Sequence, residues 1–405
     1  MPAPQSGHPA LSRLVSVGPD TFSDEHWGAE PLLSRAADLP APFSDLLDQA
    51  AVDELISDRA LRTPFLRVAK DGTTLADGLF TEGGGVGAGI RDQVSDDKLL
   101  RLFAAGSTLV LQGLHRSWAP ITAFSQQLAA ELGHPVQANA YVTPPQNTGF
   151  SDHYDVHDVF VVQIQGEKRW RIREPVRRSP LRDEPWTDHR LAVERAALTA
   201  PLLEVTLAPG DSLYLPRGYL HAATALGEVS THITFGVHSW TAHHLVADLA
   251  TRAVRRASED QLVRRSLPAY LDLTDSRQLT AEVELVRAAL KAAIDEVSAE
   301  ELVGLLADRA QNSQRAAAVG VLSQAQAAAT LADEQELLLR PYLHARLVAS
   351  GDGPLLLHSR AGPLELDPAD VPAVVGLLSD GTAHVRDLGV PLARRLMLGG
   401  IVVTG

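Results

Sequence analysis

Between about residues 21 and 241 the chain is a succession of short β-type runs separated by turn signals, and this pattern restricts the fold more than any other feature. Turn signals include Gln165-Gly166-Glu167 and Pro209-Gly210-Asp211. Short strands at this spacing are typical of an antiparallel sandwich or a small barrel. The predicted strands are 108–111, 137–143, 159–165, 168–173, 203–207, 212–216 and 230–237.

Helix signals frame and follow this β-rich region. A helix capped by Ser23 is predicted near its start, and another at residues 121–132. Residues 242–333 are rich in Ala, Leu, Arg and Glu, and apolar positions recur every three to four residues at 280–290 and 298–306. These later helices either pack on the barrel or form a helical dimer interface, and the pattern leaves both open.

Residues 334–405 follow the element order of a winged helix. Asp367 and Pro368 predict the start of a helix, as cap and first helical residue. A short strand, a second helix at 392–398, a Gly-Gly turn and a final strand come next. Because Arg394 and Arg395 are the main basic residues of that second helix, we interpret this region as a structural or partner-binding module rather than a DNA reader. The predicted domains are therefore 1–241, 242–333 and 334–405.

Composition narrows the chemistry that the chain can perform. It contains no cysteine, which excludes disulfides, iron–sulfur clusters and thiol nucleophiles and suits a reducing cytoplasm. Any metal site must use His, Asp and Glu. The formal net charge of −14 disfavours sequence-independent nucleic-acid binding and favours a basic protein or peptide partner. No signal peptide and no apolar run approaching about 18 residues are visible, so we expect a cytoplasmic protein without a membrane span.

The densest group of metal-binding residue types lies in Gly149–Phe160. His153 and Asp155 stand two positions apart, so on an extended segment both side chains point the same way. A strand and a Pro-Arg-Gly corner then deliver His221. Together the three residues make the two-histidine, one-carboxylate set that leaves iron positions open. His157 continues the alternation, but we leave it outside the set because a fourth ligand would block an open position.

The alternation of side chains along one predicted strand indicates that one lysine, Lys168, points into the protein. After Gly166, Lys168 shares a face with Trp170 and Ile172, while Arg169, Arg171 and Arg173 share the other face, which we expect in solvent. An inward lysine is costly unless an anion pairs with it. That anion is either the far carboxylate of a dicarboxylate cosubstrate or a neighbouring Asp or Glu.

The same parity gives two further strands a polar face. These faces predict a polar ligand chamber inside a barrel that is otherwise rich in Val and Ile, because buried polar groups need partners. The residues concerned are Asn139, Tyr141 and Thr143 on one strand and Ser230, His232 and Thr234 on the other.

Taken in order, these motifs resemble a known family, the JmjC cupin oxygenases of the ribosomal oxygenase branch. The resemblance covers essentially the whole chain. It implies an α+β fold, with a double-stranded β-helix (cupin/JmjC) barrel followed by a helical dimerisation domain and a C-terminal winged helix. The motifs are Asn-x-Tyr-x-Thr-Pro from Asn139, His-Tyr-Asp from His153, Gln-x-x-Gly-x-Lys-x-Trp ending at Trp170, Leu-Pro-Arg-Gly-x-x-His ending at His221, and Ser-Thr-His-x-Thr ending at Thr234.

The resemblance also implies roles for individual residues. The metal ligands, which are the catalytic centre, fall on His153, Asp155 and His221. The residue that binds the far carboxylate of 2-oxoglutarate falls on Lys168. Positions lining the cosubstrate pocket fall on Asn139, Tyr141 and Thr234.

Two positions depart from the family pattern, and both lie on the substrate side. Val156-His157-Asp158 stands where two acidic residues are common, and Gly236 stands where a hydroxyl residue can occur. These departures bear on which residue of the substrate is modified more than on the chemistry.

By this resemblance the chain is an oxygenase that uses Fe(II) and 2-oxoglutarate. It would hydroxylate a side chain, His or Arg, of a basic ribosomal protein, and act as a homodimer. The alternatives are a hydroxylase that tailors a peptide or amino acid in a biosynthetic pathway, a non-catalytic cupin that binds or regulates, and a lysine demethylase.

Overall fold

The computed structural model describes residues 8–349 and 354–405. The chain divides into two compact units, Met1–Ser239 and Trp240–Gly405. The finer division of the second part at residue 333 stays a prediction. None of the helices in the described ranges combines the length and apolarity that a bilayer crossing requires.

The described part of the first unit, from residue 8 onward, contains seven α-helices and eleven strands. Its helices are α1 (Pro9–Ser12), α2 (Pro19–Thr21), α3 (Gln49–Asp53), α4 (Asp96–Ala104), α5 (Leu114–Ser117), α6 (Ala119–Leu132) and α7 (Arg190–Ala197). Its strands are β1 (Leu32–Ser34), β2 (Leu66–Lys70), β3 (Thr73–Thr74), β4 (Thr81–Glu82), β5 (Gln93–Val94), β6 (Thr108–Leu111), β7 (Val136–Thr143), β8 (Asp158–Arg173), β9 (Leu203–Leu207), β10 (Ser212–Leu215) and β11 (Leu220–Val237).

Nine of these strands form one sheet in which every neighbouring pair is antiparallel, as predicted. The order is β1-β10-β8-β11-β7-β6-β2-β3, and β9 pairs with the second half of β8. Successive residues of a strand face opposite sides of the sheet. On β7, Ala138, Ala140 and Val142 pack against the helices, which leaves Tyr141 facing the other side.

β8 and β11 are long, bent strands that pair along most of their length. The predicted turn at Gln165-Gly166-Glu167 is instead a bend within β8, so the predicted strands 159–165 and 168–173 are one strand. Gly166 has φ +62°, and a Cβ there would lie 2.2 Å from the carbonyl oxygen of Val229. The glycine therefore marks the point where the two strands cross closely, not a chain reversal.

Two apolar clusters hold the sheet. One joins its outer face to the N-terminal helices and α6, with Phe22, Leu55, Leu128 and Phe235 among its buried members. The other gathers the inner residues of β8, β9 and β10. Ser23 does not cap a helix as predicted, because the helix begins after Gly18 and continues as a π-helical turn through Ser23.

The prediction for the second face of β8 was wrong at one residue. Arg173 is only 5% exposed, although Arg169 and Arg171 reach the surface. The Arg173 guanidinium pairs with Asp152, and its Nε donates to the carbonyl oxygen of Thr199 at 3.0 Å. A half-buried carboxylate partner thus offsets part of the cost that would otherwise keep this arginine in solvent.

The second unit is mainly helical. Its helices are α8 (Ala242–Ala257), α9 (Gln261–Arg264), α10 (Thr280–Asp295), α11 (Ala299–Ser313), α12 (Val321–Ala329), α13 (Val371–Asp380), α14 (Val385–Leu388) and α15 (Val390–Leu398). Its strands are β12 (Glu336–Leu339), β13 (Arg346–Ala349), β14 (Leu355–Ser359), β15 (Gly362–Glu365), β16 (Thr382–His384) and β17 (Val402–Thr404).

The C-terminal elements follow the predicted order, with one corrected boundary. α13 begins at Val371 after Asp370, and Pro372 rather than Pro368 occupies its first turn. Asp367 instead starts a turn, in which its carbonyl oxygen accepts from the N–H of Asp370. Strands β16, β12 and β17 form a small sheet, and one apolar cluster unites it with α12, α13 and α15.

Candidate metal centre and cosubstrate pocket

The backbone brings His153 and His221 side by side. The N–H of His221 donates to the carbonyl oxygen of His153 at 2.9 Å, and the reverse hydrogen bond measures 3.2 Å. An isolated β-bridge, rather than a regular strand, pairs the backbone of His153 with that of His221, since β8 begins five residues later. The two imidazole rings consequently lie 4.4 Å apart, measured between their centres.

Asp155 completes the group. Its Oδ2 lies 3.6 Å from Nε2 of His221, and one ligand atom from each of the three residues lies within 4.8 Å of the other two. Tyr154, between the two predicted ligands, points the opposite way, is buried and donates its hydroxyl to the carbonyl oxygen of Glu184. The predicted alternation of side chains along this segment therefore holds.

Hydrogen bonds set both imidazoles in the tautomer that a metal requires. Nδ1 of His153 lies 2.7 Å from the carbonyl oxygen of Ser151, and Nδ1 of His221 lies 3.1 Å from that of Tyr219. A carbonyl only accepts, so each Nδ1 carries a proton, and in the neutral ring Nε2 is the nitrogen with the free lone pair.

The ionisation of this group also suits a cation. Burial, with His153 close by, lowers the pKa of His221 to about 4, so this imidazole is neutral at neutral pH. Burial by itself would raise the pKa of the Asp155 carboxyl. The surrounding histidines, His157 first, more than offset burial and hold that pKa below its usual value. The neutral imidazole of His221 and the carboxylate of Asp155 thus face a common point, together with the ring of His153.

The Pro-Arg-Gly corner that precedes His221 is anchored by Asp158. This fully buried carboxylate accepts from the backbone N–H of Arg217 at 2.8 Å and from the hydroxyl of Ser239. Gly218 N–H donates to the carbonyl oxygen of Asp155 at 3.0 Å. The corner that delivers one histidine is therefore tied directly to the segment that carries the carboxylate.

Lys168 lies inside the same cavity, as predicted, and is only 4% exposed. Its Nζ donates to Thr143 Oγ1 at 3.1 Å and faces Nδ1 of His232 at 3.5 Å. No Asp or Glu of the described ranges pairs with it, which removes the neighbouring-carboxylate alternative there. Burial lowers the pKa of the Lys168 ammonium to about 7.

Of the three other predicted pocket residues, the structure places two at the cavity. Tyr141 and Thr234 line it, and burial raises the pKa of the Tyr141 hydroxyl to about 12, so the hydroxyl stays protonated. The Tyr141 ring stacks on His232 with 4.8 Å between centres. Asn139 is not among the lining residues, and its Oδ1 accepts from the N–H of Gly113 at 3.0 Å.

His157 and Gly236, which belong to the two departures from the family pattern, lie next to each other in the structure. A Cβ on Gly236 would lie 2.5 Å from the ring of His157. His157 stacks on His238 at 5.0 Å, and its Nε2 lies 3.0 Å from Nε2 of Gln137. His157 therefore fills the space that a side chain at position 236 would need.

The motifs did not point to several residues that line the cavity, whose volume is about 240 Å³. Phe150 and Trp186 flank His153, with ring centres 5.9 and 6.5 Å away. Arg67 enters from β2, a strand absent from the sequence prediction. A lone arginine within Leu66-Arg67-Val68-Ala69 was the available signal, but it does not distinguish an inward guanidinium from a surface one.

Comparison with known proteins places this site in a family. Residues 117–245 match the JmjC domain. Ribosomal oxygenase 1 of Gallus gallus is 31% identical over 296 residues, which are 70% of this chain and 47% of the relative. A bifunctional lysine-specific demethylase and histidyl-hydroxylase NO66 of Culex quinquefasciatus is 27% identical over 309 residues, 72% of this chain and 45% of the relative. The chain thus spans about half the length of these relatives.

Solved structures agree on the fold. Ribosomal oxygenase YcfD of Escherichia coli, 17% identical, superposes with a TM-score of 0.56 over 96% of this chain and 99% of YcfD. A second structure of YcfD, in complex with cobalt and 2-oxoglutarate, gives a TM-score of 0.54 with the same identity and coverage. The antiparallel sheet described above is accordingly the JmjC/cupin barrel. The chain therefore contains a JmjC domain and is a homologue of ribosomal oxygenase 1 and the NO66 proteins.

Proposed function

We propose that this chain is an Fe(II)- and 2-oxoglutarate-dependent oxygenase that hydroxylates a side chain, His or Arg, of a ribosomal protein. One observation carries the proposal: a buried lysine without a carboxylate partner lies in the same cavity as a converging His-Asp-His group. The names of the relatives supply the ribosomal substrate.

The residues that line the cavity fit both iron(II) and 2-oxoglutarate. Two Nε2 lone pairs and one carboxylate, from His153, His221 and Asp155, make the facial set that suits iron(II). The same cavity contains the buried ammonium of Lys168, and a dicarboxylate would supply the anion that this group lacks. When bound, iron and 2-oxoglutarate supply the oxidising power to insert one oxygen atom of O₂ into a C–H bond.

The chain's own residues bind, orient and exclude water. Lys168, held by Thr143 and His232, presents a cation to the far carboxylate of the cosubstrate. Burial lowers the pKa of His232 well below its usual value, so His232 is neutral and accepts from Lys168 without adding a second charge. Tyr141 offers a protonated hydroxyl, and the rings of Phe150 and Trp186 shield the metal-facing side.

Two finer elements of the proposal concern the second unit. Exposed apolar side chains on α8 and α10 support a dimer of this chain, among them Val246, Val254, Val283 and Val286. The C-terminal order of elements supports a winged helix that does not read DNA. Arg394 donates to the carbonyl oxygen of Ala328, and Arg395 pairs with Asp367 and Asp370, so both guanidinium groups are engaged.

The site is tested by loading metal-free protein with Fe(II) without oxygen and titrating 2-oxoglutarate. We expect a visible charge-transfer band in the wild type, no band in His153→Ala, and a band that needs far more 2-oxoglutarate in Lys168→Ala. His243→Ala and Lys70→Ala, which change partly or fully exposed residues outside the cavity, are the matched controls. A folded wild type that binds iron without the band would overturn the oxygenase function and favour a binding module.

The substrate class is tested separately. Purified ribosomal proteins are incubated with the loaded enzyme and O₂, and intact-mass spectrometry follows the gain of one oxygen atom. We expect one ribosomal protein to gain oxygen with the wild type and none with His153→Ala. Turnover that leaves every ribosomal protein unchanged would contradict a ribosomal substrate.

A further inference from the structure

A second cation, Arg67 of β2, lines the same cavity as Lys168. Antiparallel pairing aligns Arg67 of β2 with Val110 of β6, Val110 with Tyr141 of β7, and Tyr141 with His232 of β11. Directly paired residues share a face, so Arg67 points to the same side as Tyr141 and His232. Three strand spacings separate Arg67 from His232, roughly 14 Å along the sheet. The Lys168 ammonium contacts Thr143 of β7 and His232 of β11, so the strand of Arg67 lies two to three strands away from the residues that hold Lys168.

No hydrogen bond or ion pair within the described residues engages the Arg67 guanidinium. It is partly buried and lines the cavity, and its Nε is buried without a hydrogen-bond partner. Among the described residues no carboxylate forms an ion pair with it. Arg13 and Arg217 also have a buried Nε without a partner, but each of them pairs with a carboxylate through another nitrogen, Asp45 and Asp158 respectively. A desolvated guanidinium nitrogen that lacks an acceptor is costly, which is typical of a group that a ligand satisfies.

When the charges of the metal-loaded and cosubstrate-loaded site are added, the positive charge of Arg67 stays unbalanced. A divalent metal and a dicarboxylate cancel each other, and Asp155 cancels Lys168. The positive charge of Arg67 then has no counterpart in the cavity, and the remaining occupant is the substrate.

Resting on the proposed function, we propose that Arg67 selects the substrate by binding a carboxylate carried by a residue next to the modified one or by the C-terminus of the same peptide. The planar guanidinium fork matches a carboxylate in two parallel hydrogen bonds. A cationic side chain placed beside Arg67 is repelled, so within a basic ribosomal protein the site favours a neutral target residue next to an acidic one. Glu or Asp side chains and a free C-terminus share this chemistry.

The test measures binding rather than turnover. Wild type, Arg67→Gln and Lys70→Gln are loaded with Mn(II) and the non-reactive cosubstrate analogue N-oxalylglycine. Calorimetry then gives the Kd of acetylated, amidated seven-residue peptides centred on histidine, with Glu, Gln or Lys at the flanking positions. A Gln peptide with a free C-terminus distinguishes the terminal carboxylate from a side chain. Lys70 is a matched control, since it lies on the same strand but has the opposite parity and does not line the cavity.

We expect the wild type to bind a carboxylate-bearing peptide about tenfold or more tightly than the amidated Gln peptide, and the Lys peptide least tightly. The preference should fall to near one in Arg67→Gln and persist in Lys70→Gln. Equal binding of all peptides by the wild type, binding of none, or a preference that survives in Arg67→Gln overturns the proposal.

The charge-transfer titration separates this proposal from the proposed function. A wild type without the Fe(II)–2-oxoglutarate band fails as an oxygenase whatever the peptides do. A wild type with the band but without peptide preference loses only the role of Arg67. If Arg67→Gln needs much more 2-oxoglutarate for the same band, the guanidinium serves the cosubstrate, and substrate selection by Arg67 is overturned.

Discussion

At the scale of single residues, Lys168 shows how a functional group can oppose stability. Its ammonium is buried with only a hydroxyl and a neutral imidazole for partners, and burial lowers its pKa from 10.5 to about 7. An apolar side chain would suit this place better in the empty protein. The lysine gains its advantage only when an anion is bound.

We therefore expect Lys168→Met to stabilise the metal-free, 2-oxoglutarate-free protein at pH 7. Between pH 7 and 10.5 the unfolded chain holds a proton on Lys168 that the folded chain has released, so wild-type stability rises with pH across that window. The gain in unfolding free energy should be on the order of a few kcal/mol at pH 7 and should shrink as the pH approaches 10.5. Urea unfolding at pH 7 and 9.5 measures both.

The control for this prediction is Lys70→Met, which removes a lysine that does not line the cavity. It should leave the pH dependence of the unfolding free energy unchanged. Lys168→Met that is less stable than wild type at pH 7, or whose advantage does not vary with pH, would contradict the assignment of a costly buried amine.

At the scale of elements, the site depends on the bends of two long strands. β8 and β11 pair along both of their halves, and the register shifts between Leu226 and Thr231, opposite the bend at Gly166. One half of β8 pairs with β10, and the other half carries Lys168 and Trp170. A straight strand could not bring both halves around one cavity.

Two glycines with nearly the same backbone conformation test the role of the bend. Gly166 and Gly227 have φ of +62° and +63°, but a Cβ would meet Val229 only at Gly166. Gly227→Ala should cost about 1 kcal/mol in unfolding free energy, from the unfavourable φ alone. Gly166→Ala should cost at least 2 kcal/mol more, since backbone would have to move. Chemical unfolding of both variants measures the difference, and equal losses would show that the close crossing is unimportant.

At the scale of the whole molecule, the residues that face the cavity all belong to the first compact unit. Ligands that bind only the folded form of that unit raise its unfolding free energy by mass action. None of the described residues of the second unit is among those that line the cavity, so we expect no direct effect of the same ligands on it.

Calorimetry of the full chain should accordingly show two thermal transitions, of which one responds to ligand. With Mn(II) and 2-oxoglutarate each at about 100 times its Kd, each ligand should add about 2.7 kcal/mol, so that unit should gain about 5.4 kcal/mol, which moves its Tm upward by roughly 10–20 °C. His153→Ala should abolish the shift. A single transition that moves as a whole would contradict independent unfolding of the two units.

Much of the site followed from local patterns. The period-two alternation of a strand predicted that Lys168 and Trp170 face inward, and the two-residue spacing of His153 and Asp155 predicted their convergence. These predictions hold because each depends on geometry within a few residues of one chain segment. The assignment of the three ligands to a bound metal stays a prediction that the titration will decide.

Where sequence reasoning failed, the deciding contact came from a distant segment. Arg173 is buried because Asp152 reaches it, the side-chain oxygen of Asn139 is used by Gly113, and Gly166 bends a strand because β11 crosses there. The sequence by itself determined the strand-rich barrel, the residue types of the site and the direction of Lys168, because alternation and turn chemistry are local. Only the tertiary structure decided that Arg67 enters the cavity and that His157 fills the space beside Gly236, because both depend on which strands become neighbours.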